Sequence, residues 1–136
     1  MNDFENFIYQ PQIIDRHVKH QITETEGLKS RYLRLKNNFT KQMYLDSKKK
    51  IPDLMIEYES TYDSVVEWLY NNLKNEEAEI LELRYLQDLS IKEISIQLHL
   101  SDGGARERIK RAMKKAEQIY NTNLGRSKNG KLNITL

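Results

Sequence analysis

Residues 75–120 read NEEAEILELRYLQDLSIKEISIQLHLSDGGARERIKRAMKKAEQIY, and this stretch decides the fold. From about Glu76 to Leu86 it places Ile80, Leu81, Leu83, Arg84 and Tyr85 at spacings of three to four, the period of an amphipathic helix. Asp88-Leu89 breaks that helix. Ser90 then offers an N-cap, and Glu93 three residues later completes a capping box ahead of Ile91, Ile94 and Leu98. Ser95 falls inward among them and is small enough for a neighbouring helix to cross closely. The tight connection His99-Leu100 leads to Ser101, a second N-cap. A third helix is expected from Asp102 to about Tyr120. Its inward stripe is Ala105, Ile109, Ala112/Met113, Ala116 and Ile119/Tyr120, and Gly103, Arg106, Glu107, Lys110, Arg111 and Lys114 face outward. Two short helices joined by a few residues, the second basic on its outer face, make the helix-turn-helix pattern.

Upstream, the chain also reads as helical. Two prolines and five glycines leave long stretches without a backbone breaker. The first ten residues look irregular. From about Gln12, Ile13, Ile14, Val18 and Ile22 fall at helical spacing, followed by Leu28, Tyr32, Leu35 and Phe39, with Gly27 as a break or weak point between the runs. Asp46–Lys50 before Ile51-Pro52 is the expected hinge, since the residue before proline is biased away from α, and Pro52 suits the first turn of a new helix. That helix should run from Asp53 to Leu73 on a stripe of Leu54, Tyr58, Tyr62, Val65, Leu69 and Leu73, with Trp68 packed at a helix–helix contact. The expected fold is all-α: long N-terminal helices over 1–74 for dimerisation or packing, a helix-turn-helix over 75–120, and a flexible basic tail over 121–136.

Charge is unevenly divided. Through residue 100 the chain carries 13 Lys/Arg against 17 Asp/Glu, and from residue 101 nine against three. A basic end of this kind suits duplex DNA, which presents one negative charge per ~1.7 Å of axis. Other classes find little support. Cysteine is absent, which removes disulfides and thiol chemistry. His17, His20 and His99 complete no metal-ligand spacing, and no glycine-rich phosphate loop follows a strand, so neither an enzyme nor a cofactor is expected. No stretch approaches the ~20 apolar residues of a membrane span, and the first residues lack the order of a secretory signal. A cytoplasmic protein with no membrane attachment is the expectation.

The segment LELRYLQDLSIKEISIQLHLSDGGARERIKRAMKKAEQ, residues 81–118, resembles region 4 of bacterial sigma factors. Leu81, Leu83, Arg84, Tyr85, Leu89, Ser90, Glu93, Ile94, Leu98, Ser101, Arg108, Arg111, Ala112 and Lys115 carry the likeness without a gap. The chain departs from that pattern in three places. His99 stands where the turn usually has glycine, Ala105 where a larger aliphatic is usual, and Gly103-Gly104 opens the third helix. Residues 1–74 resemble no other sigma-factor region. The arrangement as a whole is similar to the small late-gene transcription regulators of bacteriophages and prophages.

The resemblance implies a sequence-specific regulator of transcription, an activator that binds double-stranded DNA and contacts RNA polymerase. It places Asp102, Gly103, Arg106 and Glu107 toward base edges. Arg106 can fork to guanine, and Glu107 can accept from cytosine. Lys110, Arg111, Lys114 and Lys115 are expected on phosphates, with Ser101 and the free amides of the helix start holding another. Arg84, among Glu79, Glu82 and Asp88, is expected in a structural ion pair. A homodimer is expected from the long apolar stripes upstream, with an intramolecular bundle as the alternative. The competing functions are a DNA-packaging recognition subunit like a phage small terminase, and a protein-binding module.

Overall fold

A computed structural model describes residues 2–126, with side-chain detail through Thr122. Every regular element among the described residues is helical: α1 (Asp3–Leu35), α2 (Asn38–Asn72), α3 (Asn75–Leu81), α4 (Ile91–Leu98) and α5 (Asp102–Arg126). A wider π-type turn over Glu82–Leu86 continues α3. The all-α expectation holds, with two long helices ahead of a helix-turn-helix. The chain divides into two compact units, one of residues Gln10–Asp63 and one that joins the residues up to Tyr9 with those from Ser64 onward.

The first unit is an antiparallel pair made from the α1 and α2 segments within it. Ile14, Val18 and Thr25 on one arm, with Thr40 and Ser47 on the other, are buried, and Tyr32 stacks on Tyr44 at 6.3 Å. The polar members of this seam satisfy one another. Gln21 Nε2 donates to Ser47 Oγ at 2.7 Å, and Thr25 Oγ1 donates to the Gln21 carbonyl at 2.7 Å. Ser47 therefore donates to Thr25 across 2.6 Å. Buried hydroxyls without partners would cost ~1–3 kcal/mol each, so the closed circuit makes them tolerable at this one register.

Several local expectations for this region are overturned. The break lies at Lys36-Asn37, not at Asp46–Lys50. Lys36 takes the left-handed conformation at φ 52°, and Asn37 Oδ1 caps α2 by accepting the Thr40 N–H at 2.8 Å. Pro52 starts no helix but lies inside α2. Its ring is exposed, so the carbonyl left without a partner one turn earlier faces water, while Ser47, Ile51, Leu54 and Tyr58 keep the opposite side of the helix against the seam. Gly27 does not interrupt α1 either: it is exposed, with open space where a Cβ would be.

The second unit has a core drawn from distant parts of the sequence. Phe4, Ile8, Val65, Leu69, Leu73, Ala78, Ile80, Leu81, Leu83, Leu86, Ile94, Ala105, Ile109, Ala112 and Ala116 are buried. The first residues, expected to be irregular, form the opening turns of α1 instead. Asn2 Oδ1 accepts the Glu5 N–H at 2.8 Å while Glu5 Oε1 accepts the Asn2 N–H at 3.2 Å, a reciprocal cap. That start delivers Phe4 and Phe7 to a nest with Trp68 and Tyr120, ring centroids 5.0–6.2 Å apart. Trp68 is thus a packing residue at a helix contact, as the sequence implies. The unit is wider than the 75–120 segment, because the residues up to Tyr9 and the end of α2 close its core. α5 runs to Arg126, six residues past the expected end at Tyr120, and the remainder of the 121–136 tail lies outside the described residues.

Candidate nucleic-acid interface

The interface is built from the caps upward. Ser90 Oγ accepts the Glu93 N–H at 3.1 Å, and Glu93 Oε1 accepts the Ser90 N–H at 2.9 Å, so the capping box read from the sequence is present and starts α4. These bonds also hold the Glu93 carboxyl below its ordinary range. α4 ends at His99, which takes φ 57° and ψ 47°, the left-handed conformation that glycine reaches without strain. The Leu100 N–H returns to the Ser95 carbonyl at 2.8 Å and closes the helix end. Ser95 is buried with its hydroxyl bonded to the Lys92 carbonyl at 2.8 Å.

Ser101 then caps α5, its Oγ accepting the Gly104 N–H at 3.0 Å. The inward face of α5 carries three buried alanines, Ala105, Ala112 and Ala116, with Ile109 among them. Small side chains let α5 lie close against α3 and α4. Ala105, fully buried, therefore fits a closer approach where the resembling family has a larger residue.

The exposed side carries the residues singled out from the sequence. Asp102, Gly103, Arg106, Glu107, Lys110, Arg111 and Lys114 are all exposed along α5. Arg111 Nε lies 3.6 Å from Glu107 Oε1, an exposed pair one turn apart. Such pairs contribute ~0.3–0.5 kcal/mol, so this one separates readily when either partner meets a base or phosphate. Lys115 differs. It turns toward α3, where its Nζ donates to Glu77 Oε1 at 2.9 Å. Burial pushes the Glu77 carboxyl up, but bonds from Lys115 and the Lys74 amide outweigh this and leave it below the ordinary carboxylate range.

Arg84 is a correction. Its Nη1 donates to the Leu89 carbonyl at 2.9 Å rather than closing an ion pair with Glu79, Glu82 or Asp88. It lines a groove with Arg106, Lys110, Lys114 and Glu117, together with Tyr85, Ile91, Ile109 and Met113. Arg84 itself lies within the π-type turn. Arg108, given no role from the sequence, lines a second recess with Glu76, Glu77 and Arg111. The surface offers exposed cations and, at the start of α5, amides ahead of Gly104 that the cap does not use, chemistry suited to phosphate. Among the described residues no group of His, Cys, Asp and Glu could hold a metal ion, and no helix is long and apolar enough to cross a membrane.

Comparison with protein families matches residues 69–115, roughly a third of the chain, to sigma-70, region 4. The segment is thus a sigma region 4-like, DNA-binding helix-turn-helix, and the match spans the end of α2, α3, α4 and most of α5. No curated protein and no solved structure matched the chain.

Proposed function

We propose that this sigma region 4-like chain is a sequence-specific regulator of transcription that lays the start of α5 in the major groove of duplex DNA. The observation that carries the reading is the exposed basic side of α5, opened by the Ser101 cap and held at its back by buried alanines. In this reading Arg106 and Glu107 read base edges, with Asp102 and Gly103 beside them. Lys110, Arg111 and Lys114 take phosphates, and Ser101 with the first amides of α5 holds one more. Lys115 contributes mainly by securing α5 to α3. Activation through a direct contact with RNA polymerase, on phage or prophage genes, is the regulatory role we assign, supported by the family resemblance and the short helical extension. A homodimer would read two half-sites about 34–36 Å apart. The hairpin of the first unit takes up part of the stripe on which that expectation rested, so the dimer contact belongs to other surfaces.

The test is recovery of fragmented genomic DNA by the purified protein, followed by sequencing, beside the Arg106→Ala and Lys110→Ala variants. The expected result is one or a few promoter-proximal sites. Arg106→Ala should relax the choice of site at a cost of ~1–3 kcal/mol, and Lys110→Ala should weaken all sites alike. Unselective recovery by the wild-type protein would remove the regulatory reading.

A further inference from the structure

The turn between α1 and α2 displays apolar side chains to solvent. Leu33 is 56% exposed, Leu35 52% and Phe39 73%. The backbone beneath them is firmly built. The Lys36 N–H returns to the Tyr32 carbonyl at 2.7 Å, Asn37 caps α2 through Thr40, and the Tyr32 and Tyr44 rings stack within 14° of parallel. Apolar groups on such a turn are already ordered, so little freedom is lost when they bind. Around them Lys29, Arg31, Arg34, Lys36 and Lys41 are all exposed, and no Asp or Glu occurs between Glu26 and Asp46. The first hundred residues carry more acids than bases, so this cationic run stands against the charge of its own part of the chain.

We infer that this turn docks on another protein, at an acidic surface enclosing an apolar pocket, with Phe39 and Leu35 as anchors and the lysines and arginines as the rim. Apolar anchors within a polar rim are the anatomy of a protein contact. A second copy of the chain fits poorly in a two-fold contact, because the same five cations would face one another. A phosphate backbone suits the cations but offers nothing to the phenylalanine and the leucines. An anionic bilayer also meets both chemistries, but a membrane helix inserts a broad apolar face, whereas these three side chains sit on one tight, firmly built turn, the shape of an anchor for a pocket. Lipid adducts are the outcome of the test that would decide for the bilayer. The inference does not depend on what α5 reads.

The experiment replaces Phe39 in the full chain with the photo-reactive analogue p-benzoylphenylalanine, irradiates cells that carry the gene, and maps adducts by mass spectrometry. The expected result is one protein, crosslinked beside a cluster of its Asp and Glu residues. Its binding to the purified chain should weaken about tenfold or more in Phe39→Ser and in Lys36→Glu/Lys41→Glu, and fall with added salt. Because these positions are exposed, helix content and duplex binding should be unchanged, which separates failure here from failure of the DNA reading. Adducts only to the chain itself, to DNA or to lipid would overturn the inference. No adduct at all, or a partner whose binding survives both variants, would do the same.

Discussion

At Gly103 an added Cβ would meet nothing within 4 Å, and no described glycine has a positive φ. The free protein therefore has no steric need for glycine at this point of α5, and alanine should stabilise the helix by up to ~1 kcal/mol. Gly103→Ala is expected to raise the thermal midpoint while weakening duplex binding, because the bare backbone lets the helix approach the groove. Unchanged binding, measured by fluorescence anisotropy, would remove that role. His99 presents the opposite case. Its left-handed backbone costs an L-residue ~1–2 kcal/mol, so His99→Gly should raise the midpoint without touching the interface. At Gly104 a Cβ would lie 3.0 Å from Ser101 Oγ, and alanine there presses on the cap itself.

Among the elements, the opening turns of α1 do the least expected work. Phe4 is fully buried, with its ring 5.4 Å from Trp68 and 5.5 Å from Tyr120. Phe4→Ala should destabilise the unit that reads DNA by ~3–5 kcal/mol, seen as faster hydrogen exchange in α3 and α5. Exchange confined to the first turns of α1 would refute the coupling. The sequence made α3, α4 and α5 legible because their signals are local: Ser90 with Glu93, Ser101 before Asp102, and an inward stripe at helical period. It did not make Phe4 legible as a core residue, because Trp68 and Tyr120, which pack on it, lie more than sixty positions away. The Asn2–Glu5 cap was available as a local signal. Pro52 misled for a related reason, since a helix tolerates proline where packing on the far side holds it and water meets the freed carbonyl. The exposed basic face of α5 was legible, but two particulars around it were not. Lys115 turns to Glu77, and Arg84, within a π-type turn that no periodicity announces, donates to the Leu89 carbonyl.

For the molecule as a whole, charge links folding to acidity. Glu77 binds protons less readily than an ordinary glutamate, whose reference value is 4.5. The folded state thus takes up protons less readily than the unfolded chain. The stability gained from the Lys115 pair is complete above that value and is lost as the pH falls through the lowered one. Acid unfolding followed by circular dichroism should show a steep limb below about pH 4.5 that Glu77→Gln makes shallower, at the cost of lower stability at neutral pH. An identical limb in the variant would place the acid sensitivity elsewhere. The division into two units also sets the order of events during synthesis. The hairpin of Gln10–Asp63 has all its parts once its second arm has left the ribosome, whereas Phe4 and Phe7, made before it, have no complete nest until Tyr120 follows. Two stretches translated far apart thus meet in one unit, and the hairpin between them has its parts in hand while the DNA-binding unit still waits for its last helix.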